Sequence, residues 1–227
     1  MNFWSDNTTA RVRQKQWLAY QDGEAEAVMA VRLGWNDGHD PKDLLEQDVF
    51  AAIIPGAERE TLLEIQTVFR PVAEQLEFGK TNFGFLAVRV AKHVSAHFGD
   101  GTLTNSAGAT GEPAIFGKPA TWVDYSGPAP KGGREGITYF DHPSNPGHPT
   151  KWHVREDGWM GASVCLDGPV TTTKKAPLVL RYLLHVHAGP VSPDRAAEVF
   201  KEFAGRPKFE VVKATAKHQI WDVRRVG

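Results

Sequence analysis

Apolar and polar positions alternate with period two over much of this chain, and Gly, Pro and Asn punctuate the alternation. That pattern predicts strands. Ala25 to Trp35 is one: Ala27, Met29, Val31, Leu33 and Trp35 share a face, with Glu26 and Arg32 opposite. Thr61 to Phe69 and Phe83 to Val90 read as two more. Ala120 to Tyr125 and Gly136 to Phe140 follow, joined by a Pro- and Gly-rich surface turn from Ser126 to Gly136. The clearest strand is Leu178 to His187. Leu178, Leu180, Tyr182, Leu184 and Val186 form one face, and Arg181, Leu183, His185 and His187 stand on the other. Phe209 to Val212 and Gln219 to Val223 close the chain as strands.

The period changes once, near the C-terminus. Ser192 is a cap, Pro193 suits the first helical position and Gly205 suits the end. Between them Ala196, Val199, Phe200 and Phe203 fall on one helical stripe. Gly38 to Glu46 is polar and has room for a helical turn. Gly99 to Gly117 lacks periodicity and reads as a long loop. The whole is expected to be mostly β, one antiparallel sandwich domain over residues 1–227, with one α-helix in the C-terminal half.

Composition narrows the partners. The chain has 227 residues, 41% of them hydrophobic, and a formal net charge of −1. A balanced charge offers no footprint for nucleic acid or an anionic membrane. No apolar run reaches the roughly 20 residues of a membrane span. The lone Cys165 excludes an intramolecular disulfide, and its apolar neighbours suit a buried thiol. The N-terminus has no signal-peptide pattern, so the chain as written is expected in the cytoplasm.

Candidate chemistry concentrates between Asp141 and Arg155. Pro143, Pro146 and Pro149 stiffen this segment. It carries His142, His148 and His153, one carboxylate in Asp141, and Asn145, Trp152 and Arg155. Such a set suits a sugar or other polyol, with aromatic faces for CH patches and polar groups for hydroxyls. Asp141 or His142 could also move a proton. The alternative is a rigid loop whose polar groups cap strand ends. His185 and His187 share a strand face with Arg181, which favours hydrogen bonding over a metal site. Arg89 and Asp124 are charges inside apolar strands, either paired or turned towards a ligand. No phosphate loop, dinucleotide fingerprint, HExxH or GxSxG is present.

Several blocks resemble a bacterial family whose members carry the label "methane oxygenase PmoA" or PmoA-like. They are Gly84–Ala91, Leu103–Gly108, Gly117–Gly127, Gly136–Arg155 and Leu180–Gly189, in the family's order. The resemblance implies a supersandwich of the galactose-mutarotase type, from bacteria that degrade polysaccharides, with longer relatives secreted or periplasmic. It also implies that strands and an Asp-His-x-His-His segment precede Phe3-Trp4 in relatives. A sheet lacking them would expose an edge suited to self-association.

Three functions follow as expectations. The first is acid–base chemistry on a sugar or glycoside, epimerase-, lyase- or mutarotase-like. Asp141 and His142 would transfer protons, and Arg89, Asn145, His148, Trp152, His153, Arg155, Arg181 and His187 would hold a small-molecule or oligosaccharide ligand. The second is a carbohydrate-binding accessory protein using the same residues without a poised acid. The third is the oxygenase of the family label, drawing on His142, His148, His153, His185 and His187. No metal site is expected from spacing alone, and no cofactor is implied by any motif.

Overall fold

The computed structural model describes residues 2–3, 7–57 and 59–227. In chain order the elements are β1 (Arg11–Gln21), β2 (Ala27–Asn36), β3 (Leu45–Pro55), β4 (Thr61–Pro71), β5 (Gln75–Phe78), β6 (Ala87–Arg89) and β7 (Thr102–Asn105). A four-residue helix α1 (Glu112–Ile115) precedes β8 (Trp122–Pro128), β9 (Arg134–Asp141), β10 (Trp152–Arg155), β11 (Trp159–Ala162), β12 (Val170–Thr173) and β13 (Leu178–Ala188). Helix α2 (Pro193–Gly205) and the hairpin β14 (Lys208–Lys213) and β15 (Trp221–Val226) complete the fold.

The fold is mostly β, as the alternation predicts. Eight strands form one antiparallel sheet in the order β1-β2-β3-β4-β13-β9-β8-β7. On one face lie two small sheets, β10-β11-β6 and β12-β5. Between them and the large sheet sits the main core, with Phe69, Tyr125, Tyr139, Trp152, Met160, Leu180 and Tyr182 at its centre. On the other face α2 covers Leu62, Trp122, Phe140 and Leu183, and the β14–β15 hairpin covers Phe50, Val28 and Val68. From Leu178 to His185 β13 is therefore covered on both sides, and Arg181, His185 and, beyond it, His187 are drawn inside on the α2 face.

The layers are unequal. The small sheets reach only the ends of β2 and β3, where Trp35 meets Phe78 and Leu45 is buried, and apolar side chains farther along β1 to β3 remain exposed: Trp17 is 56%, Tyr20 68% and Ile53 55% accessible. Val186, at the far end of β13, stands out on the same face.

Several elements differ from the pattern-based expectation. Phe83–Val90 is not one strand; only Ala87–Arg89 pairs, with β11. Gly84 passes so close to Ala162 that a Cβ would lie 2.0 Å from its carbonyl oxygen. Phe85 turns inward against Phe69 and Phe78, which bends the segment out of register. The expected loop from Gly99 to Gly117 holds β7, an edge strand, and α1. A second helix thus joins the one expected. Gly38 to Glu46 contains no helix: Asn36, Asp37 and Asp40 side chains accept nearby backbone N–H groups and β3 begins at Leu45. The Ser126–Gly136 turn is shorter than expected, since β8 runs to Pro128 and β9 starts at Arg134.

Candidate functional site

The residues singled out for chemistry fall in four places. The first is the corner where β9 ends. Asp141 is 1% exposed, and its two carboxylate oxygens are fully engaged. Oδ1 accepts from Asn145 Nδ2 at 2.7 Å; Oδ2 accepts from Thr150 N at 3.1 Å and lies 2.8 Å from His148 Nδ1. Asn145 spends the rest of its amide on the backbone of Arg181, donating to its oxygen and accepting from its nitrogen at 2.7 and 2.8 Å. The amide thus stands in for a strand partner at the end of the ladder.

His142 lies 3.0 Å from Arg181 Nη1 through Nε2. A guanidinium is always a donor, so Nε2 accepts, and Nδ1 faces the Ser144 backbone N–H at 3.0 Å and Ser144 Oγ at 2.8 Å. Burial, with the Arg181 charge second, pushes His142 down to about 4. Burial raises the Asp141 carboxyl, against the pull of Asn145 and His148. Arg181 continues to Glu64 at 2.9 Å and to the Arg206 carbonyl at the end of α2. Asp141, His142, Asn145, His148 and Arg181 therefore converge, but on one another.

The second place is the core. Trp152 is 0% exposed and its indole N–H donates to Ala120 O. Its ring meets Tyr139 edge-on, and it presents no face to a ligand.

The third holds His187. Its Nε2 is 2.9 Å from Asp124, which is fully buried and also accepts from Ser126 Oγ and Thr138 Oγ1. Burial is the largest influence on His187 and opposes its protonation, but the hydrogen bond and charge of Asp124, with smaller help from Ala188 and Glu60, together outweigh it and the pKa is raised. Gly136 makes room, since a Cβ there would lie 2.7 Å from the His187 ring. His185 stands beside it, 3.3 Å from Glu60 but not aligned for a hydrogen bond. The cavity they share has about 60 Å³, room for a few water-sized molecules and too little for a sugar.

The fourth is the outer face of β10-β11-β6. Alternation along β10 sends Trp152 and Val154 inward and turns His153 and Arg155 outward. Pairing with β11 and β6 brings Trp159 beside both Arg155 and Arg89. The His153 ring sits among Phe83 at 5.0 Å, Phe116 at 5.3 Å and Trp159 at 6.0 Å. Arg155 lies over Phe116 and Arg89 over Trp159, 5.0 and 5.5 Å from the ring centroids. Each arginine is also paired, Arg155 with Glu112 at 2.7 Å and Arg89 with Asp157 at 3.0 Å. Burial, then the Arg155 charge, lowers the His153 pKa, so the ring is neutral near pH 7. Its Nδ1 is buried and has no hydrogen-bond partner among the described residues.

This last group is the arrangement most suited to a ligand: aromatic rings and paired charges at the surface, set around a buried imidazole. Arg89, His153 and Arg155 were legible in the sequence. Phe83, Phe116, Trp159, Glu112 and Asp157 were not, because they arrive from segments 76 residues apart. The register of three short strands brings them together. Among the described residues, no three His, Cys, Asp or Glu side chains are placed to hold a metal ion, and no helix is long and apolar enough to cross a membrane.

Fold and site define a mostly-β protein with a large antiparallel sheet and a small aromatic outer sheet. The chain belongs to the family of unknown function DUF6807, whose model matches residues 1–201. No curated protein and no solved structure matches it.

Proposed function

We propose that this chain is a carbohydrate-binding protein, PmoA-like in its sequence blocks, that takes an oligosaccharide on the outer face of β10-β11-β6. The observation that supports this reading is the cluster of Phe83, Phe116, Trp159 and His153 flanked by Arg89–Asp157 and Arg155–Glu112. Aromatic rings stack on the apolar CH faces of sugars, and charged pairs at their rim hydrogen-bond hydroxyls. Exposed ion pairs of this kind contribute about 0–1 kcal/mol to stability, so their value lies in holding donors and acceptors in place.

Acid–base chemistry at Asp141 and His142 has less support, because both side chains are buried and spend their polar atoms inside the protein. The oxygenase reading has less again, since its histidines lie in three separate places.

Affinity electrophoresis through gels cast with soluble polysaccharides tests the proposal. The chain should be retarded by at least one of a broad panel, and Trp159→Ala should weaken that binding tenfold or more with the circular dichroism spectrum unchanged. No retardation across the panel sinks the reading. Turnover of a panel member that disappears in His142→Ala while binding persists would replace it with the enzyme.

A further inference from the structure

The largest cavity described lies elsewhere, between the large sheet and the β14–β15 hairpin. It has about 400 Å³, the size range of small-molecule pockets. Its walls come from β2, β3, β4 and β13 on one side and from Lys208–Val211 and Trp221 on the other. The hairpin wall lies beyond the residues that the family model matches.

The floor is apolar. Phe50 stacks on Phe209 at 5.7 Å, and Val68, Val179 and Val211 surround the pair. The one polar side chain set among them, Gln66, is 1% exposed and turned to the hairpin backbone. Its Nε2 donates to Phe209 O at 2.7 Å and its Oε1 accepts from Phe209 N at 2.9 Å. A polyol would meet a mostly apolar floor, and burying its hydroxyls there would be costly.

One rim carries two arginines. Asp48 is 1% exposed and accepts from Arg32 Nε and Nη2 at 2.7 and 3.0 Å, and from Arg70 Nη1. Two guanidiniums thus share one buried carboxylate. Glu46 also pairs with Arg32, at 3.6 Å, whereas among the described residues no carboxylate besides Asp48 bonds Arg70. At the opposite rim Lys208 and Glu210 neutralise each other at 2.9 Å. With Glu46 counted the charges around the cavity balance, and Arg70 is the arginine whose guanidinium is least used. Arg70 gives Asp48 a single nitrogen, which leaves the remaining fork of its guanidinium to bind a second carboxylate.

We propose that this groove is a binding site for a small carboxylate on a flat apolar body, separate from the carbohydrate platform and independent of it. The carboxylate accepts from Arg70 at the rim, and the body lies on Val68 and Val179 and beneath Trp221. The free edge of the Arg70 guanidinium selects the head and the apolar floor selects the body.

The test is a titration of the ¹⁵N-labelled chain with naphthalene-1-carboxylate, naphthalene-1-carboxamide and glucuronate. The carboxylate should shift amides of Val179 and of Phe209–Val211, and bind at least tenfold more tightly than the uncharged amide. Arg70→Gln should weaken it fivefold or more and narrow the gap between carboxylate and amide. Val179→Phe, which fills the floor, should abolish both without altering the spectrum elsewhere. Equal binding of the amide, tighter binding of glucuronate, or no shifts up to the solubility limit would each overturn the proposal.

Discussion

His142 faces an arginine that never releases its proton. Protonating the ring would set two donors against each other across 3.0 Å, and burial adds to that cost. Its pKa of about 4 in the folded protein lies below the ordinary 6.5. As pH falls below about 6.5 the unfolded chain takes up this proton and the folded chain does not, so folding stability drops. The loss is complete once pH passes the folded value and amounts to about 3–4 kcal/mol at most. His187 has the opposite sign. Its pKa is raised, so its contribution is present below pH 6.5 and fades as pH rises through the folded value. Urea unfolding in steps between about pH 7 and pH 4 should show a falling limb, and His142→Gln should flatten it, because a glutamine oxygen can still accept from Arg181. An unchanged limb in the variant would assign the acid sensitivity to other groups. Residue types alone marked Asp141 to Arg155 as rich in chemistry. They could not say that Asn145 would pair with the Arg181 backbone and turn that chemistry inward.

At the scale of elements, α2 was fully legible. Its period is helical, Ser192 accepts from Arg195 N as a cap, and Ala196, Val199 and Phe203 are buried as spaced, with Phe200 half-buried. Phe203 does more than fill the core, since its ring meets His142 edge-on at 4.7 Å and lies under Arg181. Phe203→Ala should cost about 3–5 kcal/mol, and Ser192→Ala about 1 kcal/mol. Denaturant unfolding of both variants measures the two, and a Phe203→Ala loss under 1 kcal/mol would show that the corner holds without the helix. The strands β1 and β3 went unread for different reasons. In β1 most side chains are exposed, so no alternation in polarity survives. In β3 Gln47 and Asp48 are buried by partners on neighbouring strands, Trp35 and Thr67 for one and Arg32 and Arg70 for the other. A buried polar residue reads as exposed until its partner is known.

For the whole molecule, Glu64 ties the layers together. It is 0% exposed and pairs with Arg181 of β13 at 2.9 Å and Arg225 of β15 at 2.8 Å. Burial alone would raise its pKa, but the two arginines hold it lowered. Arg225 also bonds Glu26 at 2.7 Å and lies 4.0 Å over the Phe209 ring, so one carboxylate links the large sheet to the hairpin. Glu64→Gln leaves two buried arginines short of a counter-charge and should cost about 3–5 kcal/mol. Amide hydrogen exchange should quicken in β14 and β15 more than in β8 and β9; a uniform change would mean that Glu64 does not link the layers. Local period determined strands such as β2, β4, β8, β9 and β13, helix α2, the mostly-β class and the segment worth watching, because backbone conformation and side-chain facing depend on neighbours a few residues away. Strand order, the split second layer and the fate of each polar side chain depended on contacts between distant segments. Asp124 meets His187, Glu64 meets Arg225, and His153 meets Phe83 only once the sheets have formed. For that reason the sequence pointed to Asp141–Arg155, and the tertiary structure divided that segment between a sealed corner, a core tryptophan and an outer aromatic face.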